Sequence, residues 1–147
     1  MAKKKYTKET NCDIKDLLFP VEIVDEELDA NKEYCKRVVG TIDGKQKLLN
    51  QCSDIYELAT NEEIFPNIEN ILKTNGVEFT VTYEHINNVM FIAKYRITDE
   101  RFLYTMEGRV NDSICPIITV FHSYNGKFKY RIIFGYFRMI CSNGLTI

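Results

Sequence analysis

ICPIITVFHSYNGKFKYRIIFGYFRMICSNG, residues 114–144, holds two β-branched and aromatic runs that meet at Asn125-Gly126. Asn-Gly between such runs predicts a hairpin, because a two-residue type I′ turn needs positive φ at both central positions. That turn would set Tyr124 opposite Lys127, Phe121 opposite Tyr130, Val120 opposite Arg131 and Thr119 opposite Ile132. Alternation along the strands then sorts the side chains onto two surfaces. One carries Ile117, Thr119, Phe121, Phe128, Tyr130, Ile132 and Phe134 and is expected to face a core. The other carries His122, Tyr124, Lys127, Lys129 and Arg131 near the turn, then an apolar patch at Ile118 and Ile133. Gly135 interrupts the second strand, where glycine often marks a bulge or a close backbone approach.

Upstream of the hairpin the period changes twice. Residues 1–11 are polar and lysine-rich and read as a disordered basic tail, followed by one domain over residues 12–147. Leu17 to Val24, around Pro20, reads as an apolar anchor or edge strand. Asp43-Gly44 predicts a smaller hairpin between Tyr34–Ile42 and Lys47–Asn50. Thr60 or Asn61 can cap a helix over residues 62–74, with Glu62 and Glu63 favouring its positive end. Its apolar face is read from Ile64, Ile68, Ile71 and Leu72. Pro66 is tolerated only in a first turn, and Asn75-Gly76 supplies the exit. Val77–Tyr83 and Val89–Ile97 follow as two strands joined through Ile86-Asn87-Asn88. The fold class is therefore α+β: a twisted antiparallel sheet of five or six strands with one main helix packed on one face.

The 147 residues carry 19 Lys/Arg and 21 Asp/Glu, so bulk charge singles out no partner. Its distribution says more: residues 1–78 hold 11 basic and 16 acidic side chains, residues 101–147 hold 6 and 2. A basic back half suits an anionic partner at the hairpin, and uneven chance placement gives the same numbers. The five cysteines include no close pair, which reads as reduced thiols of a cytoplasmic protein. No apolar run reaches membrane-span length, and no signal-peptide core follows the first lysines.

Enzyme chemistry finds little footing. The seven glycines are scattered, without a phosphate loop or a dinucleotide fingerprint. His85 and His122 lie on different strands with no metal-ligand spacing to any cysteine. Adjacent carboxylates such as Glu62 and Glu63 diverge on a helix. The reading is non-enzymatic, with no catalytic residue, metal or cofactor. The candidate site is the hairpin's outer face: Lys127, Lys129 and Arg131 for phosphates, His122 and Tyr124 for bases. The same stripe also reads as a solvated face that discourages edge pairing.

Phe121 to Leu145 carries a specific pattern: His122-Ser123-Tyr124-Asn125-Gly126, then Phe137-Arg138 and Cys141-Ser142-Asn143-Gly144-Leu145. It resembles the phage- and plasmid-encoded family called domain of unknown function nine-three-two. A looser likeness around Val38–Gly40, Tyr56 and Asn61-Glu62-Glu63 extends it over residues 35–145. Members of that family usually continue past the Cys-Ser-Asn-Gly-Leu segment, so the resemblance implies a fragment or a short variant. The family has no settled activity. The resemblance implies a mobile-element origin in a bacterial cytoplasm. The hairpin's cations and rings make single-stranded DNA binding in replication or recombination the expected function. The alternative is a protein-interaction or self-assembling module, homo-oligomeric or acting on a host or phage factor.

Overall fold

The computed structural model describes residues 8–25, 36–53, 56–105, 112–142 and 145–146. The small hairpin forms at the expected turn, while Tyr34 and Cys35 of its expected first strand lie outside the described residues. Strand β3 (Lys36–Ile42) returns as β4 (Lys45–Cys52) through Asp43 at φ 52° and Gly44 at φ 76°, both in the left-handed region that a type I′ turn requires. Strand β2 (Val21–Asp25) adds along β3 as the expected edge strand, closing a three-stranded sheet in the order β2-β3-β4. Gly40 has a packing reason: a Cβ there would stand 2.9 Å from both Leu49 Cδ1 and Phe19 Cε2.

Helix α1 (Asn61–Thr74) begins at Thr60, whose hydroxyl accepts from Glu63 N at 3.3 Å, and ends through Asn75 into Gly76 at φ 66°. Its inward face is Asn61, Ile64 and Phe65, continued by half-buried Ile68 and Leu72. Ile71 turns outward at 57% exposure, so it does not belong to the apolar face assigned to it. Pro66 is the sixth helical residue, beyond the first turn. The helix carries it where Glu62, whose carbonyl loses a partner, is exposed to water.

Beyond the helix, β5 (Phe79–Ile86) and β6 (Met90–Ile97) pair in register from Phe79–Ile97 to Ile86–Met90. They are joined through Asn87 and Asn88, both at positive φ. Strand β1 (Lys8–Cys12) pairs with β5, so residues 8–11, expected in a tail without fold, form a strand. Residues 1–7 of that tail lie outside the described residues. On the other side of β6 come β8 (Asp112–Ser123) and β9 (Arg131–Ser142), with two-residue strands β7 (Tyr104–Thr105) on β8 and β10 (Leu145–Thr146) on β9. The main sheet runs β1-β5-β6-β8-β9-β10 and counts seven strands, five of them long. The expected α+β class holds. The separate three-stranded sheet was not foreseen.

One face of the main sheet is the core face. It carries Tyr83 and His85 of β5, Phe91, Ala93, Tyr95 and Ile97 of β6, and Val120 and His122 of β8, all buried. Helix α1 covers it through Phe65, whose ring meets Tyr83 edge-on at 6.4 Å, while the Tyr83 hydroxyl donates to Glu69. The small sheet joins the same core through Val38, Leu49 and Cys52, with Phe19 placed 6.1 Å from Phe91. Asp99 locks the end of β6 to the exit of α1. Its carboxylate accepts from Glu78 N at 3.2 Å and from Arg101 Nη2 at 2.7 Å, and the same Nη2 donates to Gly76 O at 2.9 Å. Those donors hold the Asp99 carboxyl well below the usual carboxylate range.

Tyr95 is fully buried, and its hydroxyl has no hydrogen-bond partner among the described residues. Burial pushes that phenol's pKa up, so it stays a neutral, unsatisfied donor. Tyr95→Phe keeps the ring and removes the orphan, so it should raise unfolding stability by about 1 kcal/mol in urea denaturation. A loss of stability of that size would show that the hydroxyl has a partner in solution.

Candidate nucleic-acid interface

The expected two-residue turn at Asn125-Gly126 does not form. Gly126 has φ 75°, but Asn125 is not in the left-handed region, and Asn125 Oδ1 accepts from Lys127 N at 3.1 Å. Pairing ends at Phe121–Arg131, so Ser123 to Tyr130 make a wider connection. Ser123 Oγ pins it, accepting from Phe128 N at 3.0 Å and donating to Phe128 O at 2.9 Å. Phe121 therefore opposes Arg131 rather than Tyr130, a slip of one residue. In a period-two structure that slip exchanges faces between the strands. Ile117, Thr119 and Phe121 lie on the outer face, Ile118 and Val120 on the core face. The expected outer patch of Ile118 and Ile133 is thus divided between the two faces. Nor does Gly135 bulge: the register is unbroken from Asp112–Ile140 to Phe121–Arg131.

The same slip takes two expected base-stacking residues out of solvent. Tyr124 is fully buried and His122 is 4% exposed. Tyr124 Oη accepts from Asn61 N at 2.8 Å, and Tyr124 N donates to Val89 O at 2.7 Å. The Asn61 side chain donates from Nδ2 to Leu17 O at 2.9 Å, and its Oδ1 lies 2.8 Å from His122 Nδ1. With the amide nitrogen committed to Leu17, Oδ1 is the acceptor and His122 Nδ1–H the donor. The rings close around this network, with His122 stacked on Phe91 at 6.4 Å and edge-on to Tyr124 at 5.2 Å. Neither ring is available to a base. Lys127, Lys129 and Arg131 are exposed, the lysines in the wide connection and Arg131 at the start of β9.

The surface that replaces the expected one is the outer face of the main sheet. Among the described residues no helix or second sheet packs on it. Arg131 lies over the Phe121 ring at 4.7 Å, and Arg96 over the Phe137 ring at 4.0 Å. Lys94 stands in the row between them, because Lys94 pairs with Thr119 and Thr119 with Ile133. Lys94 and Arg96 also line a groove of about 100 Å³ with Thr80, Thr82 and Ile117. Glu84 is the one acid on this face among the described residues of β5, β6, β8 and β9, 3.8 Å from Lys94 Nζ. Guanidinium groups held over ring faces interleave cations with flat groups, a combination suited to phosphates and to stacking with bases. Lys94, Arg96 and Phe137 were missed in the sequence. The alternation Ala93-Lys94-Tyr95-Arg96-Ile97 carries the signal for the two cations, since the apolar members must face the core.

The buried network makes stability depend on pH. Burial lowers the His122 pKa from 6.5 to about 4, opposed by a backbone hydrogen bond with Ala59. Between those values the unfolded chain binds a proton that the native state excludes, so stability rises with pH. Stability should be full above pH 6.5 and fall as pH drops toward 4, by about 1.4 kcal/mol per pH unit. Urea midpoints at pH 7 and pH 5 check this. His122→Gln should be less stable at pH 7 and lose the dependence between the two. A slope unchanged in that variant would place its origin elsewhere.

Among the described residues no helix is long and apolar enough to cross a membrane. No curated protein and no solved structure matches the chain. One family model does, from within β4 through the helix and the main hairpin, leaving β1, β2 and β3 outside the matched span. That span contains the Phe121–Leu145 pattern, and on it the chain belongs to the family described as Domain of unknown function (DUF932), matched over residues 48–147.

Proposed function

We propose that the protein binds single-stranded nucleic acid without catalysis, on the outer face of the main sheet. One observation carries the reading: a sheet face left uncovered by the described residues bears two arginines over phenylalanine rings, Arg131 over Phe121 and Arg96 over Phe137, with Lys94 between them. A single strand needs cations for its phosphates and flat groups for its bases, in a surface that sets little store by sequence. Arg131 remains from the hairpin site read in the sequence. Lys127 and Lys129 extend the cationic stripe from the connection, and His122 and Tyr124 act through the core that fixes it. The natural setting is replication or recombination of a phage or plasmid in a bacterial cytoplasm, a setting supported by the family resemblance alone.

Fluorescence anisotropy of a labelled single-stranded oligonucleotide tests this. With Lys94, Arg96 and Arg131 each neutralising one phosphate, log K should fall against log salt with a slope of about −2. Arg96→Glu with Arg131→Glu should abolish binding, while Lys127→Glu with Lys129→Glu should weaken it only several-fold. No binding at low salt, or binding indifferent to salt, would overturn the assignment.

A further inference from the structure

The outer long strand of the main sheet, β9, has one bare edge. β10 pairs only with Cys141 and Ser142, and no other described strand lies along residues 131–140 on that side. The side chains there are unusual for an edge. Phe134 and Tyr136 lie on the core side of the sheet, opposite Ile118 and Pro116, yet are 76% and 79% exposed. On the outer face, Ile133 and Phe137 are 42% and 38% exposed. Long, apolar, unpaired edges invite another strand, and proteins ordinarily blunt them with proline, a bulge or an inward charge. Between Ile132 and Phe137 this edge has none of these.

We infer that a second copy of this chain pairs antiparallel with β9 across a two-fold axis at Gly135, joining the two main sheets into one. Self-pairing that keeps each face on its own side requires an axis through a residue, and Gly135 lies at the middle of the bare stretch. The register then sets Phe134 opposite Tyr136 of the second copy twice over, and Ile133 opposite Phe137 twice over. Arg131 and Arg138 oppose Met139 and Ile132 of the other copy, so no arginine faces an arginine. Gly135 itself meets its own equivalent. Nothing among the described residues of one copy asks for glycine there: its φ is not positive, and of these residues an added Cβ would meet only Ile117 Cγ2 at an ordinary 3.6 Å. Glycine inside a strand weakens it and is kept where another backbone comes close. At ~200 Å² per large side chain, the exposed parts of Ile132, Ile133, Phe134, Tyr136 and Phe137 offer roughly 500 Å² per copy, which doubled meets the ~1,000 Å² of a specific interface. The edge hydrogen bonds add to this.

Sizing with light scattering, on protein freed of nucleic acid, should give twice the monomer mass at micromolar concentration, nearly unchanged in high salt. Phe134→Lys with Tyr136→Lys should yield a folded monomer, since neither side chain supports the core of one copy. Gly135→Cys tests the register. Facing Cα atoms in an antiparallel pair lie ~4.5–5.5 Å apart, within disulfide reach. Mild oxidation should therefore link that variant into dimers far more completely than the parent chain with its native cysteines. A monomer at all concentrations, or a dimer indifferent to the two lysines or not linked through Cys at 135, overturns the proposal. The nucleic-acid reading is tested on Arg96 and by salt dependence, so either can fail without the other.

Discussion

A buried asparagine ties three parts of the chain together. Asn61 stands at the first turn of α1, and its backbone amide donates to Tyr124, its side-chain amide to Leu17, while its side-chain oxygen accepts from His122. All four residues are buried, so each polar group must find its partner inside the protein. Satisfying them docks the helix start, the segment before the small sheet and the end of β8 in one arrangement.

The register of the main hairpin follows from that constraint. An Asn-Gly pair left to itself closes a two-residue turn, which would keep Tyr124 on the strand and wet. Drawing Tyr124 into the core instead opens the connection, and Ser123 recovers the lost strand hydrogen bonds through Phe128. One residue of slip then turns Phe121 outward beneath Arg131, while Ile118 and Val120 turn inward. The ring-and-guanidinium surface on the outer face is thus a consequence of what the core demands. A polar network in the interior decides what the exterior presents.

Much of the fold was legible where local chemistry stood unopposed. Asp43-Gly44 made the turn its dipeptide favours because nothing pulled its flanks elsewhere. Thr60 capped and Gly76 ended the helix because both acts involve only neighbouring backbone groups. The clean alternation of Phe79, Val81 and Tyr83 placed β5 correctly. Long-range demands were not legible. Periodicity put Ile71 on the apolar face, yet the core sits a little further round, at Asn61 and Phe65. His122 and Tyr124 looked like surface residues since polar aromatics suit either environment, and their partner lies some sixty residues away in sequence.

By itself, the sequence determined the α+β class, the helix and its ends, the Asp43-Gly44 turn and the existence of the main hairpin, since each rests on contacts within a few residues. It also determined that the charge balance turns basic over residues 101–147, where acids are few. Only the tertiary structure decided which face the cations share and with which rings, that a second sheet closes the core, and that no described strand lies along most of the outer edge of β9. A strand's period names two faces without saying which is wet. That choice belongs to whatever packs against it, and here it was settled by the burial of Asn61, His122 and Tyr124 together.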